Sequence, residues 1–289
     1  MMNSNRDIID KFMTRSYEKK IDEQLLSDKN YIVPLKIHNY IDRILSIPYI
    51  EFINYNNDQQ DVINGTQLTQ CSSFAACSSE MCRALKSLGN PGLRFVEIGQ
   101  LFPQYVRVNN ESAYRKYGEN QIKTSAQLGL TFEYYGYWYL SCVGYIYNDL
   151  NELQQKSLLA RTILRIPLYH EILKRIIKEI VNITEYMQSL SDTTKGRRSG
   201  SIMKMINICL EECKRNGLPF HDLYYPCYIA SKKSIRLDKQ IGTFNIMGED
   251  LFKGNPNELG SSNTINISYL QPEGEEYLMA AEREDDYTN

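Results

Sequence analysis

Apolar residues recur at helical spacing through most of the chain. From residue 64 to residue 88 this spacing predicts one helix, and the run Gly89-Asn-Pro-Gly92 contains residues that commonly end helices. The next run, Leu93–Phe102, predicts a short helix that a proline terminates. After a polar linker, another helical pattern covers Tyr117–Leu130. The region therefore predicts three helices, the last two separated by a polar linker.

The helix predicted over Tyr117–Leu130 has two different faces. Ile122, Ala126 and Leu128 recur at the spacing of a buried face, and Gly129 occupies a position where helix ends favour left-handed backbone geometry. We expect its outer face to carry polar side chains that can bond base edges and phosphates: Asn120, Gln121, Lys123, Thr124 and Gln127. This helix is the first candidate for reading DNA.

A strongly aromatic run, Phe132–Tyr147, follows directly. It holds eight aromatic residues among sixteen, and Gly136 and Gly144 interrupt it. Aromatic side chains favour half-buried strands, so the run predicts two short strands joined at a turn. The alternative is a platform on which unpaired nucleic-acid bases stack.

A second helical unit comes next. Residues 154–180 predict two amphipathic helices separated by a kink at Pro167, and Val181–Leu190 predicts a third helix. We expect the first two to share a basic outer edge, formed by Arg161, Arg165, Lys174, Arg175 and Lys178.

The helix that begins near Arg198 is the second candidate reader of DNA. A regular apolar stripe predicts its buried face: Ile202, Met205, Ile206, Cys209, Leu210 and Cys213. Its leading end gathers basic and hydroxyl residues: Lys195, Arg197, Arg198, Ser199, Ser201 and Lys204. A helix N-terminus with such residues suits a phosphate group, and Arg or Lys can also bond guanine. The alternative is a solvated basic turn.

The two ends of the chain show shorter patterns. Ile50–Tyr55 predicts a short strand inside an N-terminal packing subdomain. Near the other end, Tyr224–Ile229, Lys232–Leu237 and Thr243–Met247 predict short strands, of which the first two can form a hairpin. The remainder predicts a loop followed by an acidic tail.

Composition bounds the class of protein. A hydrophobic fraction of 42% and a charged fraction of 24% are typical of soluble globular proteins, and no apolar window has the length of a membrane helix. The net charge is −2, but residues 273–289 contain seven acids and one base, which leaves +4 on residues 1–272. Seven cysteines without a secretory signal predict reduced thiols and a cytoplasmic location.

Four stretches carry a resemblance to known modules: Lys116–Leu130, Tyr137–Gly144, Leu158–Pro167 and Thr193–Ile202. Over about residues 68–216 the chain resembles the tandem winged-helix recognition modules of bacterial type II restriction endonucleases and related restriction and defence proteins. The resemblance implies sequence-specific recognition of double-stranded DNA. It places these residues at matching contact positions: Asn120, Gln121, Lys123, Thr124, Arg197, Arg198 and Ser201.

The predicted fold class is α+β, mainly α, with tandem winged-helix (helix-turn-helix) domains that carry short β-wings. An N-terminal packing subdomain is predicted over residues 1–63 and a first winged-helix domain over residues 64–150. A second winged-helix domain is predicted over residues 151–250, followed by the loop and acidic tail over residues 251–289.

The sequence contains two predicted recognition helices but no recognisable catalytic motif. Nucleases of this class hold Mg²⁺ with Asp, then Asp or Glu, one residue and Lys, and the nearest spacing, Glu18-Lys-Lys20, lies in a segment typical of a charged helix. We therefore expect no cofactor in this chain, with Mg²⁺ needed only if it cleaves DNA. The expected partners are double-stranded DNA and a separate nuclease or other restriction-system subunit, without a membrane. The alternatives are a complete type II endonuclease with a diverged metal site and a winged-helix transcriptional regulator.

Overall fold

A computed structural model describes residues 4–26, 32–56, 73–106, 108–179, 181–182, 186, 199–221, 223–231 and 234–244. For residues 182, 199–201, 203, 223–231 and 234–244 it describes the backbone only. The described residues form a mainly helical structure with one two-stranded and one three-stranded sheet, so the predicted class, α+β and mainly α, is confirmed. The chain divides into two compact units, Met1–Gln60 with Thr69–His170, and Asp61–Leu68 with Glu171–Asn289. The four segments predicted from the sequence stay predictions.

The first unit begins with four helices, α1 (Asn5–Met13), α2 (Ser16–Leu26), α3 (Leu35–Ser46) and α4 (Tyr49–Ile53). In α3, Ile37, Ile41 and Ile44 recur at helical spacing and are fully buried. Phe12 of α1 and Phe52 of α4 meet edge to face, with ring centroids 5.7 Å apart. These contacts give the N-terminal helices a common apolar core.

The strand predicted over Ile50–Tyr55 is wrong, because most of this segment forms α4. Pro48 precedes the helix, where the missing N–H of proline leaves no helical hydrogen bond unmade. Tyr49, Phe52 and Ile53 are buried at the spacing of one helical face. Aromatic and β-branched residues favour strands only weakly, and burial of this face outweighs that preference.

Four further helices follow, α5 (Phe74–Cys77), α6 (Ser79–Ser87), α7 (Phe95–Gln100) and α8 (Glu111–Gln127). The helix predicted over residues 64–88 is thus two helices where it is described, and residues 64–72 lie outside the described residues. The short helix predicted within Leu93–Phe102 is confirmed by α7. Helix α8 begins earlier than predicted, and Gly129 follows it with the expected positive φ of 75°.

Strands β1 (Thr131–Tyr134) and β2 (Tyr137–Leu140) form an antiparallel hairpin, which confirms the predicted pair of strands and the turn at Gly136. The second strand is shorter than predicted. The Ser141 hydroxyl accepts a hydrogen bond from the Gly144 N–H at 2.9 Å and begins helix α9 (Cys142–Tyr147). Gly144 therefore lies in a helix and does not interrupt a strand.

Helices α10 (Glu152–Ile163) and α11 (Pro167–Lys178) confirm the predicted helix pair and its break at Pro167. The basic outer edge predicted on them is wrong for two residues. Arg161 is buried and donates to the Ile47 carbonyl at 3.0 Å. The buried Arg165 side chain forms an ion pair with Glu18. Each guanidinium group has an acceptor far away in the chain, and this favours its burial.

The second unit contains β3 (Val181–Asn182), α12 (Ser199–Arg215), β4 (Leu223–Ser231) and β5 (Ser234–Phe244). The third helix predicted over Val181–Leu190 is wrong at its start, because β3 pairs in parallel with β4. Most of the rest of that prediction lies outside the described residues.

The apolar stripe predicted for α12 is confirmed, since all six of its residues are fully buried. The hairpin predicted after it is also confirmed, with β4 and β5 antiparallel and irregular between Cys227 and Ile229. Thr243 and Phe244, predicted to begin a separate strand, are the end of β5, whereas residues 245–247 of that prediction and the acidic tail lie outside the described residues.

Candidate nucleic-acid interface

Helix α8 presents a continuous polar face. Asn110 caps its N-terminus, and the Asn110 side chain accepts a hydrogen bond from the Ala113 N–H at 2.8 Å. Exposed and half-buried polar residues then recur every three or four positions, which places them on one side of the helix: Ser112, Arg115, Lys116, Asn120, Lys123 and Gln127. Three predicted site residues, Asn120, Lys123 and Gln127, are therefore brought together.

Two residues predicted for the outer face of α8 point inward. Gln121 is 1% exposed and Thr124 is fully buried, so the prediction that they face solvent is wrong. The Thr124 hydroxyl donates to the Asn120 carbonyl at 2.9 Å, which satisfies its polar group without water. Neither side chain reaches solvent in this structure.

The sequence reasoning missed Arg115 and Lys116, because it began the helix at Tyr117. Asn110 followed by Glu111 is a signal for a helix start, and it places both basic residues one turn before Asn120. Of the charged residues on α8, Arg115, Lys116 and Lys123 are positive, whereas Glu111 and Glu119 are negative. Lys123 forms an ion pair with Glu119, so the helix is only weakly basic.

Helices α7 and α8 cross at two glycines. A Cβ atom on Gly118 would lie 2.0 Å from the Phe95 carbonyl oxygen, and a Cβ on Gly99 would lie 2.0 Å from the Tyr114 carbonyl oxygen. The two backbones are therefore in direct contact, and no other residue type fits at either position without a shift. This crossing fixes the direction of α8 relative to α7.

A third backbone segment extends the β1–β2 hairpin. Leu93 exchanges two hydrogen bonds with Trp138, 3.1 Å and 2.9 Å long. The Asn90 side chain forms two more hydrogen bonds at the C-terminal end of β2. Its amide oxygen accepts from the Leu140 N–H at 2.6 Å, and its amide nitrogen donates to the Leu140 carbonyl at 3.1 Å. The spatial order is therefore Leu93, β2, β1.

The two faces of the hairpin differ. Directly opposite residues share a face, and the pairs Phe132–Tyr139 and Tyr134–Tyr137 make one face entirely aromatic. The Arg94 guanidinium lies 5.0 Å from the Tyr137 ring centroid and donates to the Tyr137 hydroxyl at 2.9 Å.

Trp138, on the other face of the hairpin, connects it to α7 and α8. Its ring lies 5.7 Å from that of Phe95, and the Lys123 ammonium lies 5.6 Å from the Phe95 ring centroid. The Phe95 ring therefore contacts both the exposed Lys123 of α8 and Trp138, the single tryptophan of the chain.

A buried group of charges lies under the C-terminal end of α8. Arg15 donates to the Ala126 carbonyl at 2.9 Å, and Arg165 pairs with Glu18 while its guanidinium lies 3.6 Å from the Phe12 ring centroid. Asp22 accepts from the backbone N–H of Cys142 at 2.7 Å. These contacts join α2 to the helices that follow the hairpin.

Burial dominates the electrostatics of this group. Burial raises the pKa of Asp22 to about 6, and the hydrogen bond from Cys142 opposes part of that increase. Burial also raises the pKa of the Cys142 thiol well above its ordinary value, and the nearby Asp22 carboxylate adds to the effect. The group is largely buried, and its contact with the Ala126 carbonyl helps to position the end of α8.

The second predicted reader is described only in part. Lys195, Arg197 and Arg198 lie outside the described residues, and Ser199 and Ser201 are in the first turn of α12 with undescribed side chains. Lys204 is half-buried on the same helix. Among described residues, no group of three or more His, Cys, Asp or Glu is arranged to hold a metal ion.

Comparisons with known proteins do not supply a family. No protein-family model, curated protein or solved structure matches this chain. Within the part of the chain that the structure describes, no helix has both the length and the apolar character needed to cross a membrane.

Proposed function

We propose that this chain binds double-stranded DNA through a winged-helix domain that comprises α6, α7, α8 and the β1–β2 hairpin. The observation that carries the proposal is the order of these elements, together with the pairing of Leu93 to β2. Helix, short strand, two helices and a hairpin, with the first strand beside the last, is the winged-helix arrangement. Helix α8 takes the place of the recognition helix, and the hairpin takes the place of the wing.

The polar face of α8 supplies suitable DNA ligands. Asn120 and Gln127 have side-chain amides that can pair with adenine, whereas Arg115, Lys116 and Lys123 can bond phosphate or guanine. The weak net charge of α8 predicts few phosphate contacts, so we expect binding to depend on hydrogen bonding and shape more than on charge. Buried Gln121 and Thr124 have no direct role in this proposal.

The second unit supports a tandem arrangement. Helix α12 is followed by the β4–β5 hairpin, as α8 is followed by β1–β2. We propose that α12 and its preceding basic segment form the second reader, with Lys195, Arg197, Arg198, Ser199, Ser201 and Lys204 near the DNA backbone.

The biological role rests on the resemblance of the sequence. Tandem winged-helix modules of this type serve as recognition parts of type II restriction and related defence proteins, and we propose the same role in the cytoplasm for this chain. Cleavage would then be supplied by a separate nuclease or another subunit.

A library experiment tests the proposal. The purified chain is incubated with random-sequence duplex DNA at increasing salt, with and without Mg²⁺, and both retained fragments and cut ends are sequenced. We expect selective retention without cutting. Discrete Mg²⁺-dependent ends would identify a complete endonuclease, a palindromic site bound by a dimer would indicate a regulator, and no retention at low salt would refute DNA binding.

Variants on α8 make the test specific to this surface. Replacing Arg115 and Lys116 together by Ala should weaken binding to the selected duplex, and the salt slope should fall by about 1 for each side chain that binds a phosphate. Lys156→Ala, an exposed lysine of α10 that pairs with Glu152, is the matched control and should leave binding unchanged. Equal effects of the two changes would exclude α8 as the recognition helix.

A further inference from the structure

The turn of the β1–β2 hairpin contains a residue that does not suit its backbone. Tyr135 has a φ of 49° and Gly136 a φ of 78°. Positive φ at both central positions is the pattern of a type I′ turn, in which Asn-Gly or Gly-Gly is strongly preferred. A tyrosine there places its Cβ atom in the disfavoured left-handed region. The Glu133 carboxylate holds the turn by accepting from the Gly136 N–H at 2.6 Å.

Packing does not explain this tyrosine. Tyr135 is 83% exposed, and its described ring contact is an edge-to-face approach to its neighbour Tyr134, with centroids 4.4 Å apart. An exposed aromatic residue in an unfavourable conformation lowers the stability of the hairpin. Such positions are often kept because the side chain binds something.

The surroundings of the tip match a nucleobase. Behind Tyr135, the aromatic face of the hairpin continues from Tyr134 to Tyr137, and the Arg94 guanidinium lies over the Tyr137 ring. Aromatic rings followed by a cation are the combination that binds unpaired bases beside a phosphate backbone. A purely apolar partner would gain nothing from the charge of Arg94.

We infer that Tyr135 stacks on a nucleobase that is unpaired at the edge of the DNA site. The inference rests on the proposed function and adds the class of substrate, a duplex opened locally next to the sequence that α8 reads. The π-face of any base can serve, so the contact carries little sequence preference. The wing would then stabilise an opened site that a paired duplex does not offer.

Fluorescence anisotropy of the full chain tests this inference. The probes are a fluorescein-labelled duplex that carries the sequence retained from the library, and the same duplex with a short mismatched bubble beside that sequence, both at low salt. We expect tighter binding to the bubble by roughly 5- to 150-fold, the range that base stacking on one aromatic residue provides.

Two substitutions separate stacking from folding. Tyr135→Phe keeps the ring and should keep the preference for the bubble. Tyr135→Asn removes the ring but introduces the residue that the turn prefers, so it should abolish the preference while thermal stability stays equal or rises. Leu153→Asn, at an exposed apolar position on α10, is the control and should retain the preference.

The possible failures are distinguishable. Equal affinity of the wild-type chain for the bubble and for the paired duplex would overturn this inference and leave the proposed function intact. A bubble preference that persists in Tyr135→Asn would also overturn it, because the ring would then not be the contact. Absence of binding to either probe would overturn both this inference and the proposed function.

Discussion

Adding a single methyl group to Gly118 tests the contact between α7 and α8. In an ordinary helix, Gly→Ala stabilises by about 1 kcal/mol because alanine restricts the unfolded chain and favours helix. At Gly118 the new Cβ would lie 2.0 Å from the Phe95 carbonyl oxygen and 2.7 Å from the Gly99 nitrogen. We therefore expect Gly118→Ala to change stability in the opposite direction.

The magnitude follows from the geometry. Ordinary Cβ contacts begin at 3.4 Å, so the two backbones must separate by about 1.4 Å. Both obstructing atoms belong to the main chain, and no flexible side chain can move aside. Overpacking of this kind costs about 3 kcal/mol at the upper end of its usual range. After the gain in helix propensity, the expected loss of stability is about 2 kcal/mol.

Urea unfolding measures the effect, and Trp138, the single tryptophan, reports on the adjacent hairpin. Ser112→Ala is the matched control, because Ser112 is exposed in the same helix and should show only the small gain from propensity. A Gly118→Ala protein as stable as the wild type or more so would refute the close crossing. The proposed position of the recognition helix depends on that crossing.

Three further changes probe the buried polar groups. Burial raises the pKa of Asp22 from 3.8 to about 6, so the stability tied to its protonated form is complete below pH 4 and is lost as the pH rises through 6. Between pH 4 and 7 the wild type should lose about 2 kcal/mol relative to Asp22→Asn in chemical unfolding, and parallel pH profiles would contradict this. Asn90→Ala removes both hydrogen bonds to Leu140 and places alanine in a backbone with φ of 54°, so it should lower the unfolding free energy by about 2 kcal/mol. Asn90→Gly should lower it less, because glycine tolerates this φ. The reverse order would show that the backbone conformation is different. Arg165→Met removes the close partner of buried Glu18 and leaves the longer ion pair with Arg15, 3.9 Å, so it should lower the unfolding free energy by about 3 kcal/mol. Adding Glu18→Gln should restore part of the loss, and no recovery would mean that the ion pair is not the cause.

Elements whose cues lie within a few residues were predictable from the sequence. The break at Pro167, the left-handed Gly129 and the apolar stripe of α12 depend on proline geometry, glycine freedom and helical spacing. The hairpin turn at Gly136 was likewise predictable. These features are determined by local chain chemistry.

Predictions that depended on distant partners were wrong. Arg161 and Arg165 looked like surface cations, but acceptors 114 and 147 residues away allow their burial. Gln121 and Thr124 looked like DNA ligands because they are polar, and only the packing around α8 shows that they face inward. A polar residue type does not report which side of a helix becomes covered.

The candidate site was predictable in outline but not in its extent. The sequence pointed to α8, yet Arg115 and Lys116 were missed because the start of the helix was placed too late. The aromatic run suggested a base platform only as an alternative, and it gave no sign that Tyr135 lies at positive φ. Backbone strain at a turn depends on the strand register, which the run of aromatics leaves open.

The buried ion pair between Glu18 and Arg165 also constrains the timing of folding during synthesis. Helix α2 is made before Arg165, so for 147 residues of synthesis Glu18 has the longer ion pair with Arg15, 3.9 Å, but not the closer one with Arg165. At about 5–20 residues per second, that interval is roughly 7–30 s. During this time Glu18 lacks its closer partner and Asp22 lacks the Cys142 N–H from which it accepts, so burial of both carboxylates in the final packing of α2 is unfavourable. Helix α2 therefore reaches its native environment only after the helices that follow the hairpin have been made.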